Sequence, residues 1–143
     1  MADNIASTQS ATLDQAYEEA MAMLVEARDY AKTQKDQLVD LEPDQRLRLS
    51  QYMMQVTSRL TQVMAWLMAS KAVVNGELAE DALSTEDYAL PDDAALAGSD
   101  ATILQREQAD REITPNRLAD LMDRSRNLYQ RIARLDQQAR AAG

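Results

Sequence analysis

The side chains that most often carry chemistry in proteins are missing from this sequence. It contains no histidine and no cysteine, so it offers no imidazole base, no thiolate nucleophile and none of the usual zinc ligands. Carboxylates are plentiful, but a di-iron carboxylate bundle would also need Glu-x-x-His pairs. The sequence contains no glycine-rich phosphate loop either. We therefore predict a protein that is not an enzyme and has no catalytic, cofactor-binding or metal-binding residues.

A methionine-rich stretch that holds the single tryptophan is the first candidate for contacts with other proteins. Methionine fills irregular gaps in a core, but it also forms adaptable recognition surfaces. The tryptophan can pack inside the fold with its indole N–H bonded to a polar neighbour, or it can anchor an interface. Packing is the favoured interpretation of both, and a homodimer interface would also account for the methionines. The residues concerned are Met54, Met64, Trp66 and Met68.

An arginine-rich stretch near the C-terminus is the second candidate for such contacts. The simplest interpretation is a solvated helix face that makes exposed ion pairs with neighbouring aspartates. The functional interpretations are an acidic protein partner or nucleic acid, although no lysine-rich run supports nucleic acid. The residues concerned are Arg124, Arg126, Tyr129, Arg131 and Arg134.

A single charge, Arg59, interrupts the least charged stretch of the sequence, residues 49–70. Polar side chains are scattered among the apolar ones in that stretch, so we predict a buried helix rather than a membrane span. Arg59 is expected either to pair with a carboxylate inside the bundle or to extend towards solvent.

Composition predicts how the chain is organised around these residues. Strong helix formers dominate the 143 residues, and glycine and proline number only three each. This indicates an all-α fold in one domain. The first residues are small and polar, so residues 1–12 are predicted to be a flexible tail and residues 13–143 the single domain.

Apolar residues at spacings of three and four predict three long helices. The first begins at Leu13. The second begins at Pro43 and is ended by Gly76. The third follows Thr114, which is expected to cap it. Little of the second helix faces solvent in this arrangement, so we predict a three-helix bundle with a long central helix that dimerises through helix faces.

The segment between the second and third helices has a different character. Residues 77–100 carry many carboxylates and neither lysine nor arginine. Beyond a turn or two of helix at residues 77–83, we predict a mobile, acidic linker that extends to about residue 113. The orientation of the third helix is left open by a connection of this length.

The charge balance limits the classes of partner. A formal net charge of −9 at pH 7 argues against general binding to nucleic acid or to an anionic membrane. The first ten residues lack the basic and apolar stretches of a signal peptide. Together with the absence of cysteine, this favours the cytoplasm.

Two stretches resemble a known protein family. Residues 58–77 contain Ala-Trp-Leu and then Ala-Val-Val-Asn-Gly-Glu, and residues 117–136 contain Arg-Ser-Arg-Asn-Leu-Tyr-Gln-Arg-Ile-Ala-Arg-Leu-Asp. Together they resemble the regulator of CtrA degradation family of alphaproteobacteria, often called RcdA, with a weaker similarity at residues 23–30. The positions that match the family pattern are Trp66, Gly76, Arg124, Ser125, Tyr129, Arg131 and Asp136.

The resemblance implies a cytoplasmic, non-enzymatic adaptor that is built on a three-helix bundle and is usually dimeric. Such adaptors help deliver cell-cycle regulators to the Clp unfoldase and protease, alongside a response-regulator adaptor that primes the unfoldase. They can also bridge to a cyclic-di-nucleotide effector protein. The residues leave two alternatives open: a transcriptional or nucleic-acid-associated regulator that acts through the arginine face, and a purely structural helical dimer.

Overall fold

A computed structural model describes residues 2–85, 88–91 and 93–142. All regular secondary structure in these residues is helical, which confirms the predicted all-α class. The helices are α1 (Ala2–Gln37), α2 (Pro43–Val74), a 3₁₀ helix (Glu80–Ser84), α3 (Ala94–Ala97), α4 (Ala101–Ala109) and α5 (Asn116–Ala142).

Helix α2 has the ends that its sequence predicts. Glu42 precedes Pro43 and forms a capping box with Gln45. The Glu42 side chain accepts a hydrogen bond from the backbone N–H of Gln45, and the Gln45 side chain accepts one from the backbone N–H of Glu42. At the C-terminal end, Asn75 caps the helix and Gly76 adopts a φ of +77°. A residue with a Cβ is strained at that φ, so glycine ends the helix at the lowest cost.

Helix α1 begins at Ala2, well before the predicted start at Leu13. The tail predicted for residues 1–12 is therefore helical in the part that is described. No glycine or proline interrupts these residues, and adding residues to an existing helix is far easier than starting one. The packed turns after Leu13 supply the helix from which the polar N-terminal turns extend.

The three long helices pack against one another, and their directions follow from contacts between them. Glu19 and Glu26 of α1 pair with Arg131 and Arg124 of α5, respectively. The order of these residues is reversed on the two helices, so α1 and α5 are antiparallel. Helix α2 follows α1 through the short connection 38–42 and also runs antiparallel to it, so α2 and α5 are parallel.

The core lies between these three helices and is mainly aliphatic. Several of its residues have no exposed surface at all, which fits the interior of a closely packed domain. The fully buried apolar residues are Ala20 and Tyr30 of α1, Leu49, Val56, Leu60, Val63 and Leu67 of α2, and Leu118 and Leu128 of α5.

The connecting segment, residues 77–113, runs back along α2 and α5 because those two helices are parallel. Part of the segment is helical, in the 3₁₀ helix, α3 and α4. Leu83 and Leu90 are buried. Asp100 immediately precedes α4, and its carboxylate accepts hydrogen bonds from the backbone N–H groups of Thr102 and Ile103. An acidic residue expected in a linker thus acts as a helix N-cap. Glu86, Asp87 and Asp92 of this segment lie outside the described residues.

Candidate interaction surface

Arg124 and Arg131 of α5 are part of a charged seam between α5 and α1. Arg124 bonds the carboxylate of Glu26 at 2.8 Å and that of Asp120 at 3.0 Å, and Arg131 pairs with Glu19. The bond to Asp120 is the largest influence on Arg124 and raises its pKa, with Glu26 acting in the same direction against partial burial. Both arginines remain partly exposed, so this seam is a surface that another protein can reach.

Arg126 and Arg134 differ in their environment although both lie on α5. The Arg126 side chain is only 13% exposed and pairs with the buried carboxylate of Glu107 on α4. Arg134 is exposed, and within the described part of the chain it makes no ion pair. Arg126 therefore supports the fold, whereas Arg134 is available at the surface.

Trp66 and Tyr129 are both inside the molecule. Trp66 is 4% exposed, and its indole N–H donates to the Asp136 carboxylate at 2.9 Å. The other oxygen of Asp136 accepts from Arg140 at 2.7 Å. Tyr129 is 1% exposed and donates its hydroxyl to the carbonyl oxygen of Pro91 at 2.7 Å. The packing interpretation holds for Trp66, and neither ring forms part of the open surface.

Arg59 is fully buried, so it does not extend to solvent, and among the described residues it pairs with no carboxylate, in contrast to both expectations. Its Nε donates to the carbonyl oxygen of Leu96 at 2.7 Å. Its Nη1 donates to the carbonyl oxygen of Met122 and to the hydroxyl of Ser125, each at 3.3 Å. Burial lowers the pKa of Arg59 to about 10, and the positive charge of Arg126 adds to the effect. Arg59 thus joins α2 to α5 and to the connecting segment.

Side chains of α5 also donate hydrogen bonds to backbone carbonyl groups of the connecting segment. Gln130 donates to the carbonyl oxygen of Ala97 at 2.7 Å, and Arg140 donates to that of Leu90 at 3.4 Å. Gly98 has a φ of +76°, and a Cβ at this position would collide with the Arg126 side chain. Because these bonds go to backbone atoms, the amino-acid types of the connecting segment gave little indication of them.

A second polar cluster fixes the other end of the connecting segment. The buried carboxylate of Asp110 accepts two bonds from Arg48, at 2.9 and 3.1 Å, and one from the hydroxyl of Tyr52. Burial acts to raise the pKa of Asp110, but the bonds from Arg48 and Tyr52 outweigh it and the pKa is lowered. For Tyr52, burial and the same hydrogen bond both raise the pKa. The cluster therefore depends on an ionised Asp110.

Stability should depend on the charge of Asp110. We expect Asp110→Asn to lower the free energy of unfolding by about 2 kcal/mol at pH 7, because the amide does not replace a charged acceptor bonded twice by Arg48. The pKa of Asp110 is lower in the folded chain, so its contribution is present above the unfolded pKa and is lost as pH falls through the folded pKa.

Urea unfolding of the wild type and the variant between pH 7 and pH 2.5 measures this contribution, and the two curves should converge at the acidic end. Asp44→Asn is the matched control, since Asp44 bonds the same Arg48 but is exposed. We expect the control to change stability by less than about 0.5 kcal/mol. A gap between wild type and Asp110→Asn that stays constant with pH would contradict the assignment.

The outward face of α2 carries the exposed methionines. Met54 is 68% exposed and Met68 60%, as is Leu47, whereas Met64 is half-buried and packs against the core. The face continues as a strip with alternating spacings of four and three, opposite the core side of the helix. We call this strip the outer seam: Leu47, Gln51, Met54, Ser58, Thr61, Ala65, Met68 and Ala72.

The outer seam holds no charged residue, and all its members except the half-buried Ala72 are exposed. A shallow groove beside Met54 is lined by Ser58 and Thr61 among others. The methionines indicate this face in the sequence, whereas its small and polar members give no signal individually. Their common spacing is what marks them as one surface.

Comparison with known proteins places this architecture in a family. A family model described as a protein of unknown function (DUF1465) matches residues 5–143, nearly the whole chain. The chain belongs to the DUF1465 family. No curated protein matches the sequence.

A solved structure is similar to this DUF1465 chain over most of its length. It is the crystal structure of RcdA from Caulobacter crescentus CB15, with 26% sequence identity, a TM-score of 0.65 and coverage of 89% of each chain. The match confirms the resemblance to the RcdA family that the two sequence stretches carry.

The positions of this DUF1465 chain that match the RcdA pattern fall into three groups. Trp66, Ser125, Tyr129 and Asp136 are buried and bonded within the fold. Gly76 ends α2. Arg124 and Arg131 lie at the surface between α1 and α5. Arg124, Arg131 and the exposed Gly76 can touch a partner without rearrangement of the core.

The described residues of the DUF1465 chain form neither a metal site nor a membrane span. Within residues 2–85, 88–91 and 93–142, no group of three or more acidic, histidine or cysteine side chains is arranged to hold a metal ion. No helix of the described residues is both long and apolar enough to cross a membrane.

Proposed function

We propose that this protein is a non-enzymatic protein–protein adaptor that helps deliver cell-cycle regulatory proteins to the Clp unfoldase and protease. The observation that carries the proposal is the match to the RcdA crystal structure over 89% of each chain. The motif at residues 124–136 agrees with it. The proposed partners are the adaptor that primes the unfoldase and the substrate regulators, without nucleic acid or a membrane, and the proposed location is the cytoplasm.

The state of the ionisable groups supports a role in binding rather than catalysis. The buried carboxylates of Glu107, Asp110 and Asp136 each pair with an arginine. A general base needs a free lone pair directed at a substrate, whereas Asp110 and Asp136 are occupied by hydrogen bonds from neighbouring side chains. The second oxygen of Glu107 accepts no hydrogen bond but is enclosed within the fold. These buried ion pairs stabilise the fold, as expected for a protein that acts as a scaffold.

We propose the α1–α5 seam around Arg124, Arg131 and Arg134 as the surface that meets an acidic partner. Arg124 and Arg131 already pair with Glu26 and Glu19, so the face is charged but nearly neutralised within the chain. Exposed ion pairs of this kind contribute only about 0–1 kcal/mol each. Carboxylates of an acidic partner can therefore replace Glu26 and Glu19 in these ion pairs at a small cost in free energy. Arg134 can pair with the partner without the loss of an ion pair inside the chain.

We also propose that the three long helices act as one three-helix bundle and that two copies form a dimer. Exposed apolar side chains on a charge-free face are uncommon on a monomer. The outer seam of α2 is the face that motivates the dimer, since the core, α1, α5 and the connecting segment already cover the other sides of that helix.

Binding measurements with purified proteins test the adaptor proposal. We expect the chain to bind the Clp unfoldase or its response-regulator priming adaptor, and the double variant Arg131→Glu, Arg134→Glu to bind at least about tenfold more weakly, a loss of about 1.4 kcal/mol. Lys32→Glu makes the matched control, because Lys32 is an exposed cation on α1 away from that seam.

The control should bind within about twofold of the wild type. Both variants change exposed residues, so circular dichroism and urea unfolding should show an intact fold. Absence of binding to both the unfoldase and the priming adaptor would count against the adaptor function. Equal losses in the double variant and the control would instead reject only the assignment of this surface.

A further inference from the structure

The outer seam has the spacing of a helix-pairing surface. Its members follow one another at alternating intervals of four and three residues from Leu47 to Ala72. An average of 3.5 residues keeps a strip facing a partner helix in left-handed packing. The strip is about 39 Å long at 1.5 Å per residue, and no other element of the described chain covers it.

The members of the outer seam divide into two series of different size. The series spaced by seven from Leu47 contains the large side chains Leu47, Met54 and Met68, with Thr61 at its centre. The other series, which starts at Gln51, is otherwise small: it continues with Ser58, Ala65 and Ala72. Any partner helix must therefore place small side chains opposite one series and large ones opposite the other.

The outer seam of a second copy of the chain, running in the opposite direction, is such a partner. When two copies of α2 are antiparallel, each residue of the large series faces a residue of the other series: Met54 meets Ala65 of the second copy, and Leu47 meets Ala72 of the second copy. Ser58 and Thr61 meet near the centre. Large side chains then lie opposite small ones in four of the eight layers, and Met68 meets the polar Gln51 of the second copy in two others. Large opposite small is the arrangement that fills a packed interface evenly.

Parallel pairing gives a poorer fit. It would place Met54 opposite Met54 and Ala65 opposite Ala65 of the second copy, so crowded layers would alternate with gaps. Crowded and empty layers both reduce stability. The size pattern thus favours the antiparallel arrangement. Charge plays no part in this choice, because the outer seam contains no charged residue.

We propose that the outer seam is a self-association surface on which the α2 helices of two copies pack antiparallel, about a two-fold axis that passes between Arg59 and Leu60. This inference rests on the dimer in the proposed function and adds its surface, partner and register. The contact is isologous, because the same strip is used by both copies. Leu47, Met54 and Met68 are the large exposed residues that become buried.

The size of the strip sets the expected affinity. A strip of ~39 Å by ~11 Å covers roughly 430 Å² on each copy. The total is at the lower end of specific protein interfaces, where complexes are weak or transient. We therefore expect dissociation in the micromolar range, and the measurements need concentrations on both sides of it.

Disulfide cross-linking can determine the register, because the chain has no cysteine of its own. A Met54→Cys chain is mixed with a tagged Ala65→Cys chain under mild oxidation, and we expect a disulfide between the two. Met54→Cys alone should not cross-link, since the two sulfurs would be about 16 Å apart along the seam. Lys32→Cys mixed with Ala65→Cys is the control for random collision.

Sedimentation equilibrium of the wild type from 1 to 100 μM accompanies the cross-linking. A dimer together with the mixed disulfide supports the proposal. Efficient cross-linking of Met54→Cys by itself would mean parallel helices and overturn it. A dimer with no cross-link above the control would place the interface elsewhere, and a monomer throughout would overturn both the seam and the dimer. The unfoldase-binding measurements decide the adaptor function separately.

Discussion

Replacement of Trp66 by alanine is expected to lower the free energy of unfolding by about 4 kcal/mol. The side chain is 4% exposed and lies where α2 faces α5. Removal of a large buried ring creates a cavity that the surrounding helices fill only in part. The change also leaves Asp136 without the indole N–H, so a buried carboxylate loses one of its partners. In a domain of this size, 4 kcal/mol is a large share of the total stability.

Trp66→Phe separates the two contributions. Phenylalanine retains most of the buried ring but has no N–H, so we expect a loss of about 1–2 kcal/mol from the hydrogen bond alone. Urea unfolding followed by circular dichroism measures both variants. Loss of less than about 1 kcal/mol in Trp66→Ala would contradict the buried position. Weaker unfoldase binding by Trp66→Phe at full folding would instead indicate a direct contact with a partner.

Replacement of Arg59 by alanine is expected to lower the free energy of unfolding by about 3 kcal/mol. The guanidinium supplies donors to the carbonyl oxygens of Leu96 and Met122 and to the hydroxyl of Ser125, and its removal leaves a large cavity. The charge itself is costly to bury, as its lowered pKa indicates. The net loss is therefore smaller than the number of bonds suggests.

Arg59→Met is the matched variant, because methionine restores much of the volume without the charge or the donors. We expect Arg59→Met to lower the free energy of unfolding by less than about half the amount expected for Arg59→Ala. In both variants, amide hydrogen exchange should speed up at residues 93–97, since the bond to Leu96 is absent from both. Unchanged exchange there would show that the connecting segment is held without Arg59.

The residues that match the RcdA family pattern differ in where they act. Trp66 and Tyr129 act from inside the fold, so substitutions at these positions should impair partner binding only to the extent that the fold fails. Arg124 and Arg131 are at the surface, and substitutions there can change binding in a folded protein. A family pattern on its own does not separate these roles, because both kinds of residue are constrained.

Much of the secondary structure was predictable from local signals. Pro43 and Gly76 bracket α2 because proline suits a first helical turn and glycine the left-handed turn after a helix. The core side of α2 followed from its apolar spacing. Helix α1 begins earlier than its apolar spacing predicts, because a polar composition does not by itself prevent a helix from extending.

The connecting segment was the least predictable region. Its carboxylates suggested a solvated linker, yet Asp100 caps a helix and Asp110 is buried beside Arg48. Several of the bonds that hold the segment run from side chains of α2 and α5 to its backbone carbonyl groups. Sequence patterns report side chains, so contacts made to backbone atoms leave little trace in them.

By itself the sequence determined the all-α class, the ends of α2 and the lack of histidine and cysteine, because these depend on residue types and on spacing along the chain. Only the tertiary structure decided that α5 runs parallel to α2, that Trp66 and Arg59 face inward and that the outer seam stays open. Each of these depends on which faces of distant helices meet. That choice is made by the packing of the whole chain.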